Sequence, residues 1–356
     1  MNTNRSNLKY SKNLIVLILC SFILLFSGCA TKIKVNMLQP AQYHEASLTK
    51  AVAVLPFQGH GGKDFAAELE AVLAGIGIDD KPYFTLVDRA SIDKTISEMQ
   101  FSQSGLVDQK TAAKLGKLIG AQGIYTGVVT MNNFDDSYYR EERQQCNQYE
   151  TKRDKRGKQY QGKCISWNRY TVNCVKRVVN FAVSPKLVDV TTGRILYARD
   201  LSSTINSSGC EDTQPVQSEL VLLENAKESV KRDFRRDVAP YYVTMEIKLL
   251  DSTDGIESNA AKEKLKNGIA YADKGRMDNA CELWGEARNI TPDSYVLLYN
   301  LGVCAESRGD LDAALNLYKQ ADKILGKPED DITLALNRVE SAIKNRGKIK
   351  EALGNK

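Results

Sequence analysis

The sequence predicts an α/β (α+β) protein: a mixed sheet with helices packed on its face, followed by an all-α domain of helix-turn-helix repeats. Three observations predict it. Residues 50–131 alternate apolar strand runs with amphipathic helical stretches in the order β-α-β-α-α-β. Two longer strand-patterned runs flank the turn Thr191-Thr192-Gly193 and read as a hairpin. From Ala261 onward the chain repeats itself at an offset of 34 residues.

Each element has its own justification. Residues 30–49 read as an extended tether. Residues 51–57 (Ala-Val-Ala-Val-Leu-Pro-Phe) are a continuous apolar run stopped by Pro56 and Gly59, the pattern of a buried strand. Residues 64–73 place Phe65, Leu69, Val72 and Leu73 on one helical face. Residues 84–87 form a second strand. Residues 89–99 form a helix with Ile92 and Ile96 four apart, and Asp108 opens another that runs to Ile119, with Gly120 in the C′ position. Residues 124–131 are a third strand. A basic, cysteine-bearing insert, residues 132–170, then interrupts the pattern. Residues 171–190 resume as strand and residues 195–205 run back beside them. Residues 218–238 are a helix with Leu222, Ala226, Val230 and Phe234 spaced by four, and residues 241–250 alternate as a last strand. The polar run 251–255 is a linker.

In the repeat, Gly268 matches Gly302, Gly275 matches Gly309, Ala280 matches Ala314, Trp284 matches Tyr318 and Ala287 matches Ala321. Small residues at fixed places let two helices approach, and the large aromatic fills the gap to the next pair. With Tyr271, these are the candidate repeat-packing residues. A period of 34 with Gly, Ala and aromatic in these places is the tetratricopeptide pattern. Lys264 and Asn267 depart from it, standing where apolar residues are usual; Leu298 and Leu301 restore them in the second repeat. Residues 332–343 form a further amphipathic helix that caps the stack. The two repeats and cap span 257–353.

The N-terminal 29 residues predict location. Arg5, Lys9 and Lys12 precede an apolar run at 14–26, which ends in Leu25-Phe26-Ser27-Gly28-Cys29. A charged start, a short apolar centre and small residues before a cut mark a secretory signal. The run is shorter than the roughly 20 residues an ordinary spanning helix needs. A cysteine at the cut marks a bacterial lipoprotein, so residues 1–28 are expected to leave and Cys29 to carry acyl chains, two or three of which hold a protein stably on a membrane. Phe26 stands where such signals prefer Leu. Ala30, in place of Asp, implies outer-membrane sorting by resemblance to bacterial lipoproteins.

The chain from Cys29 to Lys356 is long enough for about two domains. The net charge of +5 gives no argument for nucleic acid. The charge is uneven: residues 140–178 hold eleven Lys and Arg against four acids, a local +7. Of eight cysteines, Cys20 leaves with the signal. Cys146, Cys164, Cys174 and Cys210 predict two disulfides in an oxidising compartment. Three pairings are open, and proximity favours Cys146 with Cys164 and Cys174 with Cys210. Their spacings contain no C-x2–4-C pair, which argues against zinc. Cys281 and Cys304 read as small buried hydrophobes. The two histidines, His44 and His60, assemble no catalytic or metal set. The run Gln58-Gly59-His60-Gly61-Gly62 lacks the Lys-Ser/Thr of a phosphate loop. No cofactor, metal or catalytic residue is expected.

Four pieces of sequence, in order behind the lipid signal, carry a family resemblance. They are Ala53-Val54-Leu55-Pro56-Phe57; Phe84-Thr85-Leu86-Val87-Asp88-Arg89; Ser104-Gly105-Leu106-Val107-Asp108 with Leu115-Gly116-Lys117-Leu118-Ile119-Gly120-Ala121 and Thr126-Gly127-Val128-Val129; and Val188-Asp189-Val190-Thr191-Thr192-Gly193-Arg194-Ile195-Leu196. Together they resemble the CsgG/HfaB-type family of curli- and holdfast-secretion lipoproteins over about residues 50–250, the basic insert aside. The resemblance implies a periplasmic α/β domain without catalysis, and ring-forming members that build an outer-membrane pore.

Two departures argue against a pore here. Barrel strands must present apolar residues alternately to lipid over about 9–11 residues. The first hairpin's place, 138–163, is dense in charge, and the second, 205–221, is short and polar. The loop at 58–63 also lacks the aromatic of a constriction. The expectation is therefore a non-enzymatic outer-membrane lipoprotein, an assembly or secretion accessory whose repeats dock a periplasmic or envelope protein, with self-association left open. The alternatives are a curli-like pore component and an activator of peptidoglycan synthases, whose lipoproteins share a similar small α/β fold. The insert, with Tyr138, Tyr139, Tyr149, Tyr160, Trp167 and Tyr170 among Lys and Arg, is expected either to grip an anionic polymer or phospholipid surface or to be a disulfide-stapled, solvated loop.

Overall fold

A computed structural model describes residues 31–98 and 109–354. The first half contains β1 (Lys32–Gln39), α1 (His44–Leu48), β2 (Ala51–Val54), α2 (Gly62–Ala74), β3 (Gly77–Ile78), β4 (Lys81–Pro82), β5 (Thr85–Leu86), α3 (Arg89–Glu98), α4 (Gln109–Ile119), β6 (Gly123–Arg153) and β7 (Gln159–Asp189). Then come β8 (Ile195–Ala198), β9 (Leu201–Cys210), α5 (Glu219–Val238), β10 (Tyr241–Lys248), α6 (Asn259–Asp273), α7 (Met277–Ile290), α8 (Tyr295–Ser307), α9 (Leu311–Leu325) and α10 (Asp330–Ala352). The described residues fall into two compact units, 39–241 with 348–354, and 31–38 with 242–347.

The first unit is built on a six-stranded sheet of order β5-β2-β6-β7-β8, with β9 also paired to β7. β2 runs parallel to β5 and β6; β7 is antiparallel to β6, β8 and β9. Helices cover both faces, one more than the sequence predicted. The reason is that neighbouring strand residues are buried on opposite sides. Ile124 packs with Ala53, Leu55 and Val188 against Ile92 of α3 and Ala112 and Leu115 of α4. Its neighbour Tyr125 meets Phe234 of α5 across 5.3 Å, and Phe181 meets Phe65 of α2 at 4.9 Å. Gly116 lets α4 lie close on the sheet, since a Cβ there would stand 2.2 Å from Val190. Ser218 caps α5 by accepting the amide of Val221.

Three expectations about organisation change. The segment 132–170 is no interruption: β6 and β7 are strands of 31 residues each, paired from Gly123↔Asp189 out to Arg153↔Gln159. Backbone pairing simply continues after the apolar alternation stops. The returning strand is broken, β8 and β9 separated by Arg199 and Asp200. Residues 32–39 are no tether: β1 pairs with β10, burying Ile33, Val35 and Met37. Both strands fall almost wholly in the second unit.

In that unit the β1–β10 ribbon shares its core with the helices: Ile247 and Leu249 are clustered with Leu265, Trp284, Tyr299 and Tyr318. Ser258, Ser294 and Asp310 cap α6, α8 and α9 with their side chains. Asn300, fully buried, accepts from the Leu250 amide at 3.0 Å and donates to its carbonyl at 2.7 Å, holding the strand's end to α8.

Candidate functional site

The predicted site residues separate into two places, the arm formed by β6 and β7 and the helical repeat. Cys29 lies outside the described residues.

The base of the arm is three-stranded, because β9 pairs with β7 from Val183↔Leu201 to Cys174↔Cys210. At that last rung the two cysteines face each other and are joined, with their Cα atoms 4.0 Å apart. Beyond it the arm is a two-stranded ribbon, closed again by Cys146–Cys164. These cysteines reach each other because the ladder is irregular there, with bulges between Cys146 and Gln148 and between Gln148 and Tyr149. Just inside the Cys174–Cys210 bridge, Asp136 and Arg177 stand on one rung and form a two-pronged pair at 2.7 and 2.6 Å. The Arg177 hydrogen bonds hold the Asp136 carboxyl below its usual range. Arg177 also donates to the Gln217 carbonyl and lies over the Phe134 ring, tying the chain after β9 to the arm.

That chain folds back over β9. Gly209 permits it, since a Cβ there would lie 2.4 Å from the Gln214 carbonyl oxygen. The fold leaves a cleft of about 560 Å3 beside the Cys174–Cys210 bridge, with Tyr138, Tyr139, Val175, Pro215 and Val216 as apolar lining and Arg140 among its polar residues. Glu141 lies near both sulfurs, yet with the cysteines joined the trio offers no thiolate to a metal. Sequence reasoning missed the cleft, which exists only because residues 211–217 return across the strand.

The loop carrying His60 is structural. Gly59 and Gly61 adopt φ +88° and +75°, and a Cβ on Gly59 would strike the Val129 carbonyl oxygen at 2.1 Å. Asn132 donates to the His60 carbonyl. His44, on α1, pairs with Glu351 at 2.8 Å. Nearby, burial lowers the Lys50 ammonium to about 8; it donates to the carbonyls of Ser47 and Ala352 and sits 3.3 Å from the Tyr83 ring centre. Asp237 is fully buried; burial raises its carboxyl even though Tyr197 and Arg199 donate to it.

In the repeat, Gly268 and Gly302 have one job: a Cβ on the first would lie 2.2 Å from Trp284 and on the second 2.5 Å from Tyr318. Each aromatic thus lies flat on the glycine of the preceding helix. Ala280, Ala287, Ala314 and Ala321 are fully buried around them. Trp284 donates to the Leu265 carbonyl and Tyr318 to Glu306, which also takes both prongs of Arg338. Tyr271 is only partly buried; Arg276 lies over its ring at 4.7 Å. With Asn267, Ala270, Lys274, Arg276 and Leu283 it lines a groove of about 670 Å3. Cys281 and Cys304 are not free hydrophobes: they form a third disulfide, from α7 to α8. The sequence concealed it because each cysteine sits at an apolar position of its own helix.

The described fold is that of an α/β domain bearing a disulfide-stapled β-arm, in one chain with a strand-backed helical repeat. Residues 69–214, from within α2 to the chain after β9, match the family model of the curli production assembly/transport component CsgG, and over that segment the chain is CsgG-like. No curated protein matches its sequence. Among solved structures it is similar to the LpoB C-terminal domain from Salmonella enterica (13% identity, 46% of this chain and 95% of that one, TM-score 0.25). It is also similar to lipoprotein GNA1162 from Neisseria meningitidis (13% identity, 44% and 81%, TM-score 0.26). A third is a PelC dodecamer from Paraburkholderia phytofirmans (12% identity, 58% and 98%, TM-score 0.23).

Proposed function

We propose that this chain is a non-catalytic lipoprotein of the bacterial envelope, an assembly or secretion accessory anchored in the outer membrane through Cys29. The observation that carries the reading is the CsgG match over residues 69–214. In this reading the α/β unit docks an envelope protein or a second copy, and the helices are tetratricopeptide repeats whose groove at Tyr271, Lys274 and Arg276 receives a partner segment. The buried ionisable groups support a non-catalytic role, because Asp237 is spent on Tyr197 and Arg199, and Glu306 on Tyr318 and Arg338.

A second reading, a curli-like pore component, draws on the reach of the 31-residue strands. The residue order argues against it. Along β6, Tyr138, Arg140, Glu142 and Gln144 share one side and Tyr139, Glu141, Arg143 and Gln145 the other, so neither side is an apolar band. Among the described residues no helix is long and apolar enough to cross a membrane.

One experiment separates the readings: extraction of the full chain in mild detergent, with native mass and negative-stain imaging. The accessory reading expects particles without a central channel, and an envelope protein that co-purifies with the chain but is lost from the variant Asn267→Ala/Lys274→Ala/Arg276→Ala. Rings with a channel would establish the pore instead.

A further inference from the structure

The outer end of the β6–β7 arm combines features that a solvated loop does not need. From the rung Tyr139↔Cys174 to the turn after Arg153 the ribbon extends about 50 Å, at about 3.3 Å per residue, with no third strand beside it among the described residues. The turn and the strand ends beside it carry Arg153, Lys155, Arg156, Lys158 and Lys163, all exposed and, among the described residues, without an ion pair. The turn's acid, Asp154, is used internally: its Oδ1 accepts the amides of Arg156 and Lys158 at 2.8 and 3.0 Å. Glu150 is taken by Lys152. The cationic surplus is therefore left unanswered among the described residues.

Large apolar side chains stand exposed just behind that turn. Tyr149, Tyr160, Ile165 and Trp167 keep 46%, 53%, 59% and 58% of their surface in water. Arg169 and Trp167 stand two residues apart on a regular stretch of β7, hence on one side of the ribbon. The Cys146–Cys164 bridge lies among them and fixes their spacing. Rings with a polar edge, an aliphatic side chain and a surplus of Lys and Arg are jointly favoured in one environment, the headgroup layer of a bilayer carrying negative charge. Long Lys and Arg stems let the cations reach phosphates while the rings sit lower. A two-stranded ribbon forms no groove in which a polyanion could lie, but its narrow end fits a soft surface.

We propose that the tip of the arm, residues 149–170, docks on the surface of a bilayer containing anionic phospholipids, giving the chain a second membrane contact apart from Cys29. The cations at 153–163 answer the headgroup phosphates, and Trp167, Tyr149, Tyr160 and Ile165 enter the interfacial layer without crossing it. The contact is set by the arm alone and does not depend on a docked partner or on the repeat groove.

The test uses the disulfide-bonded chain of residues 29–356 with Cys29→Ser, which removes the acyl anchor and so separates this question from the envelope reading. It is sedimented with vesicles of phosphatidylcholine alone or of equal parts phosphatidylcholine and phosphatidylglycerol. Partitioning onto the anionic vesicles is expected to be at least about tenfold stronger at low salt and to weaken as salt is raised. Lys155→Gln/Arg156→Gln/Lys158→Gln is expected to reduce it by about tenfold or more, with an unchanged circular dichroism spectrum. The chain has two tryptophans, and Trp284 is buried, so emission moving to shorter wavelength on anionic vesicles reports Trp167, and Trp167→Phe abolishes the shift. Equal binding to both vesicle types, an unaffected charge variant, or an unmoved Trp167 at saturation overturns the proposal. Binding to soluble polyphosphate but not to vesicles does so as well, and identifies a polyanion site.

Discussion

The base and the tip of the arm are the same two strands under two regimes of stabilisation. At the base, Val179, Phe181 and Val183 alternate into a core closed by α2 and α5, and hydrophobic burial holds the pairing. At the tip both faces of the ribbon are wet, and a two-stranded hairpin in water is marginal by itself. There Cys146–Cys164 supplies what a core would. The lesson is that ladder pairing can outrun the hydrophobic pattern that begins it, provided covalent links replace burial.

Substitutions in the base and in the tip should separate the two regimes. The largest effect is expected from Phe181→Ala, which opens a cavity against Phe65 and should lower unfolding free energy by about 3–5 kcal/mol in denaturant titration. Next is Cys174→Ser/Cys210→Ser, which releases a link of sequence separation 36 at the boundary between the regimes; about 2–4 kcal/mol is expected by the same measurement. By contrast, Cys146→Ser/Cys164→Ser should leave the global unfolding free energy within about 0.5 kcal/mol while protease cleavage near Lys152 and Arg153 rises, because the tip opens without the core. An equal loss from both disulfides would show the arm to be one cooperative unit, and the distinction between base and tip would fall.

Asp136→Asn should produce a smaller change, with a characteristic pH dependence. The carboxyl is depressed in the folded state, so its contribution is present above its ordinary value of 3.8 and is lost as pH falls through the lower folded value. The protection of arm amides, taken relative to intrinsic exchange at each pH, should fall on that descent in the parent chain and stay constant in the variant. The smallest effect is expected for Tyr160→Ala, within about 0.5 kcal/mol.

Much of the base was legible in the sequence, and little of the tip. The run Ala51-Val52-Ala53-Val54 and the four-residue spacing of Leu222, Ala226, Val230 and Phe234 express burial directly, and burial is what apolar periodicity reports. The tip has no buried face, so its strands have no period to read; Arg140, Glu141, Glu142 and Arg143 look like an insert although each is paired. β1 was missed for a milder version of the same reason. Ile33, Val35 and Met37 do alternate, but with Lys32, Lys34 and Asn36 between them, and their partner strand lies some 200 residues away. The repeat glycines were legible because Gly268 and Gly302 answer to aromatics at equal offsets. The groove beside them was not, since Tyr271, Lys274 and Arg276 converge only once α6 turns into α7.

The Cys281–Cys304 bond joins the second helix of one pair to the first helix of the next. Stacked helix pairs otherwise behave as a spring, each turn free to flex on its neighbour. Here the two turns are welded, so the superhelix has lost its softest degree of freedom at the only joint between complete pairs among the described residues. In the proposed docking, the partner segment has to match a pitch already set, and one of the wrong curvature meets stiffness where other arrays would yield.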